Sequence, residues 1–138
     1  MDKKKVYIAA RFHEKEEVFR ISKLLSNLGY EVISSWLSHK SVKPYHENQE
    51  LSKIYSIEDI NLATQSDYFL VLTSDAGTGM YVELGAAILS NIKIGKPIIY
   101  VVGDHINRSM FYFHPSVNRV NSIKNLLEKL ESENKKLK

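Results

Sequence analysis

Three short runs of this chain are apolar at every position: Val6-Tyr7-Ile8-Ala9-Ala10, Tyr68-Phe69-Leu70-Val71-Leu72 and Pro97-Ile98-Ile99-Tyr100-Val101-Val102. A strand with one face in water alternates apolar and polar residues, whereas a strand covered on both faces does not. Segments of helical period lie between these runs. Residues 13–28 carry Val18, Phe19, Ile21, Leu24, Leu25 and Leu28 at helical spacing, with Gly29 as a stop. Residues 50–64 repeat that period through Leu51, Ile54, Tyr55, Ile57, Ile60 and Ala63, and residues 80–90 have helical composition. Glu31-Val32-Ile33 adds a short strand, residues 110–113 a candidate edge strand, and residues 117–137 a closing helix. Doubly covered strands alternating with helices predict an α/β fold: one doubly wound, flavodoxin- or Rossmann-like parallel sheet of four to five strands with helices on both faces.

With 138 residues, 43% hydrophobic and 25% charged, the chain matches a single globular domain spanning residues 1–138. Such a domain hides roughly two thirds of the surface of its unfolded chain, enough for one core. The formal charge of +3 owes much to Lys3, Lys4 and Lys5 at one end and Lys135, Lys136 and Lys138 at the other. Residues 1–5 and 132–138 therefore read as flexible basic ends. Signs mix in between, where a nucleic-acid binder would concentrate basic residues on one face, so no nucleic-acid partner is expected. The absence of cysteine excludes disulfides, zinc ribbons, iron–sulfur clusters and thiol nucleophiles. No run reaches the roughly 18–20 apolar residues of a membrane span, and the start leads into a run too short for a signal peptide. A cytoplasmic protein without a membrane partner is the expectation.

Ligands of doubly wound sheets sit beyond the carboxyl ends of the strands, which directs attention to residues 10–13, 34–48, 73–83 and 103–109. The first loop reads Ala10-Arg11-Phe12-His13 and lacks the G-x-G-x-x-G of dinucleotide binders. No G-x-x-x-x-G-K-[ST] phosphate loop occurs, and the first loop has no acidic pair to hold the magnesium of a receiver domain. The five histidines show no H-E-x-x-H or comparable spacing, so neither a metal nor another cofactor is expected. Residues 34–48 form a long polar loop or lid carrying Trp36, His39, Tyr45 and His46. Loops of that length in compact domains are usually functional or disordered. Trp36 and Tyr45 could stack on a base or simply cover the core.

The most informative stretch is Ser74-Asp75-Ala76-Gly77-Thr78-Gly79-Met80-Tyr81-Val82-Glu83-Leu84-Gly85-Ala86-Ala87. Gly77 and Gly79 permit a tight turn, Thr78 can cap the following helix, and the unpaired amides there can hold an anion or a ribose oxygen. Glu83, about one turn inside, is flanked by Val82 and Leu84, with Gly85, Ala86 and Ala87 allowing close helix–sheet packing. The helix dipole favours its ionised form, and an ionised, fixed carboxylate is what attack on an anomeric carbon requires. An exposed helix glutamate is the ordinary alternative.

This stretch resembles the nucleoside 2-deoxyribosyltransferase superfamily, including its deoxynucleotide N-glycosidase branch. Val6-Tyr7-Ile8-Ala9 is similar to the first strand of that family, Glu58-Asp59-Ile60 to its acidic helix position, and Ser66-Asp67-Tyr68 to the entry of its central strand. Gly95-Lys96-Pro97-Ile98 resembles its turn into the fourth strand. The resemblance implies Glu83 as nucleophile, Asp59 as a sugar- or base-side partner and Tyr7 as orienter of the carboxylate. It places substrate contacts at Ala9, Arg11 and Phe12 and at Asp75, Gly77, Thr78 and Gly79. Arg11, with Thr78, is the candidate reader of a 5′-phosphate; pairing with Glu14 or Glu16 is its structural alternative. The implied activity is cleavage or transfer at the N-glycosidic bond of a nucleoside or nucleotide, 2′-deoxy by the resemblance, through a glycosyl-enzyme intermediate. The alternatives are a non-catalytic nucleotide-binding or sensory domain and a phosphoribohydrolase of the cytokinin-activating type, whose glycine turn Gly77-Thr78-Gly79 matches in part. A homo-oligomer is also expected, because the family completes its sites across subunits and Met110-Phe111-Tyr112-Phe113 is unusually aromatic for a loop.

Overall fold

The structure, a computed structural model, describes residues 2–136. Five strands form one all-parallel sheet: β1 (Lys5–Ala9), β2 (Glu31–Val32), β3 (Tyr68–Leu72), β4 (Ile98–Val102) and β5 (Val117–Val120), in the spatial order β2-β1-β3-β4-β5. This is the doubly wound α/β architecture expected from the apolar runs. The central three strands pair in register, Ile8 opposite Leu70 and Leu70 opposite Tyr100. Almost every residue of these strands is buried, the burial that a parallel sheet covered by crossover helices imposes.

Four helices cover the sheet: α1 (Lys15–Asn27), α2 (Gln49–Gln65), α3 (Gly79–Ile94) and α4 (Ile123–Lys136). Helix α1 buries Val18, Ile21 and Leu25 and ends before Gly29, whose φ of +95° is the left-handed stop expected there. Helices α1 and α4 together line one groove, while α2 packs against α3. Right-handed crossovers require this division: the chain moves from β1 outward to β2, then reverses through β3 and β4, so α1 lands on one face and both α2 and α3 on the other. Helix α4 is fastened through Glu133, which accepts hydrogen bonds from the hydroxyls of Tyr68 and Tyr100.

Two sequence expectations change here. Residues 110–113 form a 3-10 turn and not an edge strand; only Tyr112 is buried, its ring stacked on Tyr81 of α3. The true edge is β5, so the closing helix starts at Ile123 and not at 117. Ser122 opens that helix, its hydroxyl accepting the Asn125 amide at 3.1 Å. Of the ends read as flexible, Lys5 begins β1 and α4 runs to Lys136; residues 1, 137 and 138 lie outside the described residues. No described helix is long and apolar enough to cross a membrane.

The two-residue β2 leaves most of the β1 edge without a strand partner, and the lid takes its place. The Ile33 amide donates to the Val6 carbonyl, Ser34 Oγ accepts the Ile8 amide at 2.6 Å, and Trp36 Nε1 donates to the Ile8 carbonyl at 2.7 Å. Trp36 is thereby a buried anchor that roots the lid on the sheet.

Candidate active site

A cleft of about 650 Å3 opens where β1 and β3 end side by side, which is where the strand order reverses and where ligands of such sheets bind. Its walls are the segment after β1, the lid, α2, and the turn that leads into α3. Of the expected site residues, Glu83, Asp59, Arg11, Phe12, Gly77, Thr78 and Gly79 line it directly.

Tyr7 lies under the cleft floor, fully buried on β1 and stacked on Phe69 with centroids 5.7 Å apart. Its hydroxyl faces Glu83 closely enough to favour the charged carboxylate, but outside the alignment of a good hydrogen bond. Burial first, then the charges of Glu83 and Asp59, push the Tyr7 phenol far above its ordinary value, so it stays a neutral donor.

Glu83 is not the exposed helix glutamate of the ordinary alternative. Burial raises its pKa to about 8; Tyr7 opposes the rise, and the nearby Asp59 carboxylate adds to it. Burial thus outweighs the helix dipole expected to favour the ionised form and shifts Glu83 toward its protonated state. Asp59, on α2, is raised to about 6 by burial and by Glu58, with His39 pulling it down. The two carboxyl groups thus have separated proton affinities, the arrangement by which paired acids take different chemical roles.

His39 is the residue that sequence reasoning passed over. It descends from the lid with its side chain 10% exposed, stacked on Tyr55 at a centroid distance of 3.7 Å and an interplanar angle of 4°. Its Nδ1 is 3.9 Å from Asp59 Oδ1 and its Nε2 is 3.7 Å from Glu58 Oε1. Lys40, Lys43, Tyr55 and Ser56 also line the cleft unforeseen. Among the described residues, six buried side-chain polar atoms close no hydrogen bond. Four of them, Tyr7 Oη, His39 Nε2, Asp59 Oδ1 and Glu83 Oε2, belong to this cluster. Buried polar atoms are normally satisfied, and their concentration here marks a place built for something other than stability.

Two expected contacts lie elsewhere. Ala9 is fully buried within β1, and Asp75, its side chain 79% exposed, does not line the cleft. Asp75 instead holds Arg11 NH1 at 3.7 Å, so Arg11 pairs with neither Glu14 nor Glu16. Arg11 also packs over Gly77, where φ is +104° and an added Cβ would come within 2.7 Å of Arg11 Cγ. The turn needs glycine on both counts. Thr78 occupies the N-cap position of α3, but its side chain makes no cap hydrogen bond. Gly85 and Ala86 do not serve helix–sheet packing, which falls to Ala87: a Cβ on Gly85 would meet nothing within 4 Å. No described trio of His, Asp and Glu is placed to hold a metal ion.

No family model and no curated protein sequence matches the chain. Among solved structures it is similar to the Clostridium botulinum CMP N-glycosidase BcmB. The TM-score is 0.57 at 19% identity, covering 93% of this chain and 99% of that one. The chain has the fold of that enzyme, the architecture that the resemblance to the 2-deoxyribosyltransferase superfamily implied.

Proposed function

We propose that this protein cleaves the N-glycosidic bond of a nucleotide, with Glu83 as nucleophile. One observation carries the reading: a carboxyl group buried at the base of a substrate-sized cleft, facing a neutral tyrosine hydroxyl and a second carboxyl, Asp59. Ionised, Glu83 attacks C1′, the C1′–N bond breaks, and the bond pair leaves with the base. In the form of the pair that carries its proton on Asp59 and its charge on Glu83, Asp59 supplies the proton that the departing base takes up. The glycosyl ester on Glu83 is then hydrolysed, or transferred where a second base excludes water. Tyr7, whose neutral hydroxyl faces Glu83, donates to the carboxylate once the two align and so fixes its orientation. Arg11, Lys40 and Lys43 gather positive charge at the cleft walls, which suits a 5′-phosphate better than an uncharged nucleoside. The fold shared with a CMP N-glycosidase agrees with this reading.

The test is incubation of the pure protein with a panel of nucleosides and their 5′-monophosphates, ribo and 2′-deoxy, with chromatography for free base. Release from monophosphates, abolished in Glu83→Gln, is expected. Binding of the same compounds without release would assign a nucleotide sensor and overturn the catalytic reading.

A further inference from the structure

The fold gathers positive charge that the sequence keeps apart. Every strand of the parallel sheet starts at the pole opposite the cleft, and α1, α2 and α3 each return the chain to it. Lys3 and Lys4 lead, exposed, into β1, which begins with Lys5; Lys93 stands in the last turn of α3, and Lys96 lies just ahead of β4. Helix α4 ends at the same pole with Lys135 and Lys136, because Glu133 near its end accepts the hydroxyl of Tyr68, the first residue of β3. The two basic ends of the sequence thus meet on one side of the molecule. The acids there are fewer and partly engaged. Asp67 accepts the Lys5 amide at 2.8 Å and lies 4.0 Å from Lys96 Nζ, and Glu133 is held by Tyr68 and Tyr100, which leaves Asp2 and Glu31. Helix C-termini carry about half a negative charge each and attract lysines. That accounts for Lys93, Lys135 and Lys136, but Lys3, Lys4, Lys5 and Lys96 lie on no helix.

We propose that this pole docks on an anionic lipid surface, with the cleft turned away into solution. The expectation of no membrane partner rested on the want of a spanning segment, and the attraction of clustered lysines to a negatively charged bilayer requires none. The side chains around the lysines select lipid over nucleic acid. Ile94 (66% exposed) at the end of α3 and Leu28 (48%) at the end of α1 stand out among them. Aliphatic side chains and lysine stems enter the headgroup layer while the ammonium groups stay in its water. A nucleic acid, by contrast, is gripped by arginine forks and by exposed aromatic rings on which bases stack. The described residues of this pole include no arginine, and Tyr30 and Tyr68 are buried. The docking does not rest on the proposed reaction, and its test uses no substrate.

The test is co-sedimentation of the full chain with vesicles of phosphatidylcholine alone or mixed with an equal part of phosphatidylglycerol, at an ionic strength of about 0.1 M, where charges act over about 10 Å. Binding to the anionic vesicles only is expected, with release at about 1 M salt. Each lysine at such a surface is worth about fivefold in partitioning, so the triple variant Lys3→Glu, Lys4→Glu, Lys93→Glu is expected to lose about 100-fold or more. A matched triple, Lys15→Glu, Lys53→Glu, Lys124→Glu, makes the same change in net charge at the helix starts of the opposite pole and is expected to bind within about twofold of the wild type. Circular dichroism of both triples checks that they fold. No binding to anionic vesicles, equal losses in the two triples, or binding of a fluorescent RNA or DNA duplex without binding of vesicles overturns the inference.

Discussion

Replacing Glu83 by glutamine is expected to stabilise the protein at alkaline pH while abolishing its reaction. The ordinary carboxyl value of 4.5 is raised to about 8 in the fold. An acid whose folded value is raised binds more protons folded than unfolded between the two values. Its share of stability is therefore complete below 4.5 and lost as pH climbs through 8. At 1.36 kcal/mol per pH unit, the full interval corresponds to about 5 kcal/mol. Asp59 titrates in the lower part of that interval, at about 6. The clean window is pH 6 to 8, where integration for Glu83 alone leaves about 2 kcal/mol. Glutamine keeps the shape and does not titrate. Urea unfolding at both pH values should show the wild type losing about 2 kcal/mol more than Glu83→Gln, with the histidines, common to both proteins, cancelling in the difference. Parallel losses in the two proteins would refute the assignment of Glu83 as the buried, raised carboxyl.

In the proposed reaction the same ionisations set the pH dependence. If Glu83 must be ionised and Asp59 protonated, kcat/KM follows a bell with limbs near 6 and 8; in Asp59→Asn the upper limb is expected to vanish, leaving a rise to a plateau, and a wild-type profile flat from pH 5 to 9 counts against both roles. Tyr7→Phe keeps the stack on Phe69 but removes the donor to Glu83, so a loss of roughly 10- to 100-fold in kcat/KM without loss of stability is expected from paired kinetics and unfolding. His39→Phe retains a ring to stack on Tyr55 and removes the imidazole that lowers Asp59, which should move the limb near 6 upward in the pH–rate profile. Arg11→Ala should reduce efficiency on a 5′-monophosphate by about 1.5–3 kcal/mol and spare the nucleoside; equal losses on both would make Arg11 a structural partner of Asp75.

The sheet was legible because parallel strands buried on both faces must be apolar throughout, and β1, β3 and β4 are. Where burial is partial, that signal fades. In β5 only Val120 is fully buried, while Asn118 and Arg119 face water. The spacing of Val117 and Val120 reads as a helical period, so the strand merged with the helix behind it. Met110-Phe111-Tyr112-Phe113 misled in the opposite direction: β-prone residues there serve a turn that buries one ring against Tyr81 and leaves the others exposed. Tertiary context decides such short segments.

Glu83, Asp59 and Tyr7 stood out in the sequence because each sits on a regular element whose order along the chain resembled a known pattern, and the fold gathers them around one cleft. His39 was not, since its partners Glu58, Asp59 and Tyr55 lie on a helix well downstream and no local spacing links them. The protonation of Glu83 was misjudged for a reason of magnitude. A helix dipole contributes about 0.3–1 kcal/mol near an exposed terminus and fades within the first turn, and Glu83 is the fifth residue of α3. Desolvation at that site corresponds to several times as much. The buried carboxyl can therefore serve as nucleophile only once something restores its charge. The Tyr7 hydroxyl supplies part of that, provided the two come into hydrogen-bond alignment. Positive charge developing at C1′ supplies the rest, because an oxocarbenium-like centre beside a desolvated carboxylate is stabilised more strongly there than in water. In the proposed reaction the raised affinity of Glu83 is then selective: the carboxylate is disfavoured in the empty cleft and favoured as the glycosidic bond breaks, which is where binding energy accelerates a reaction.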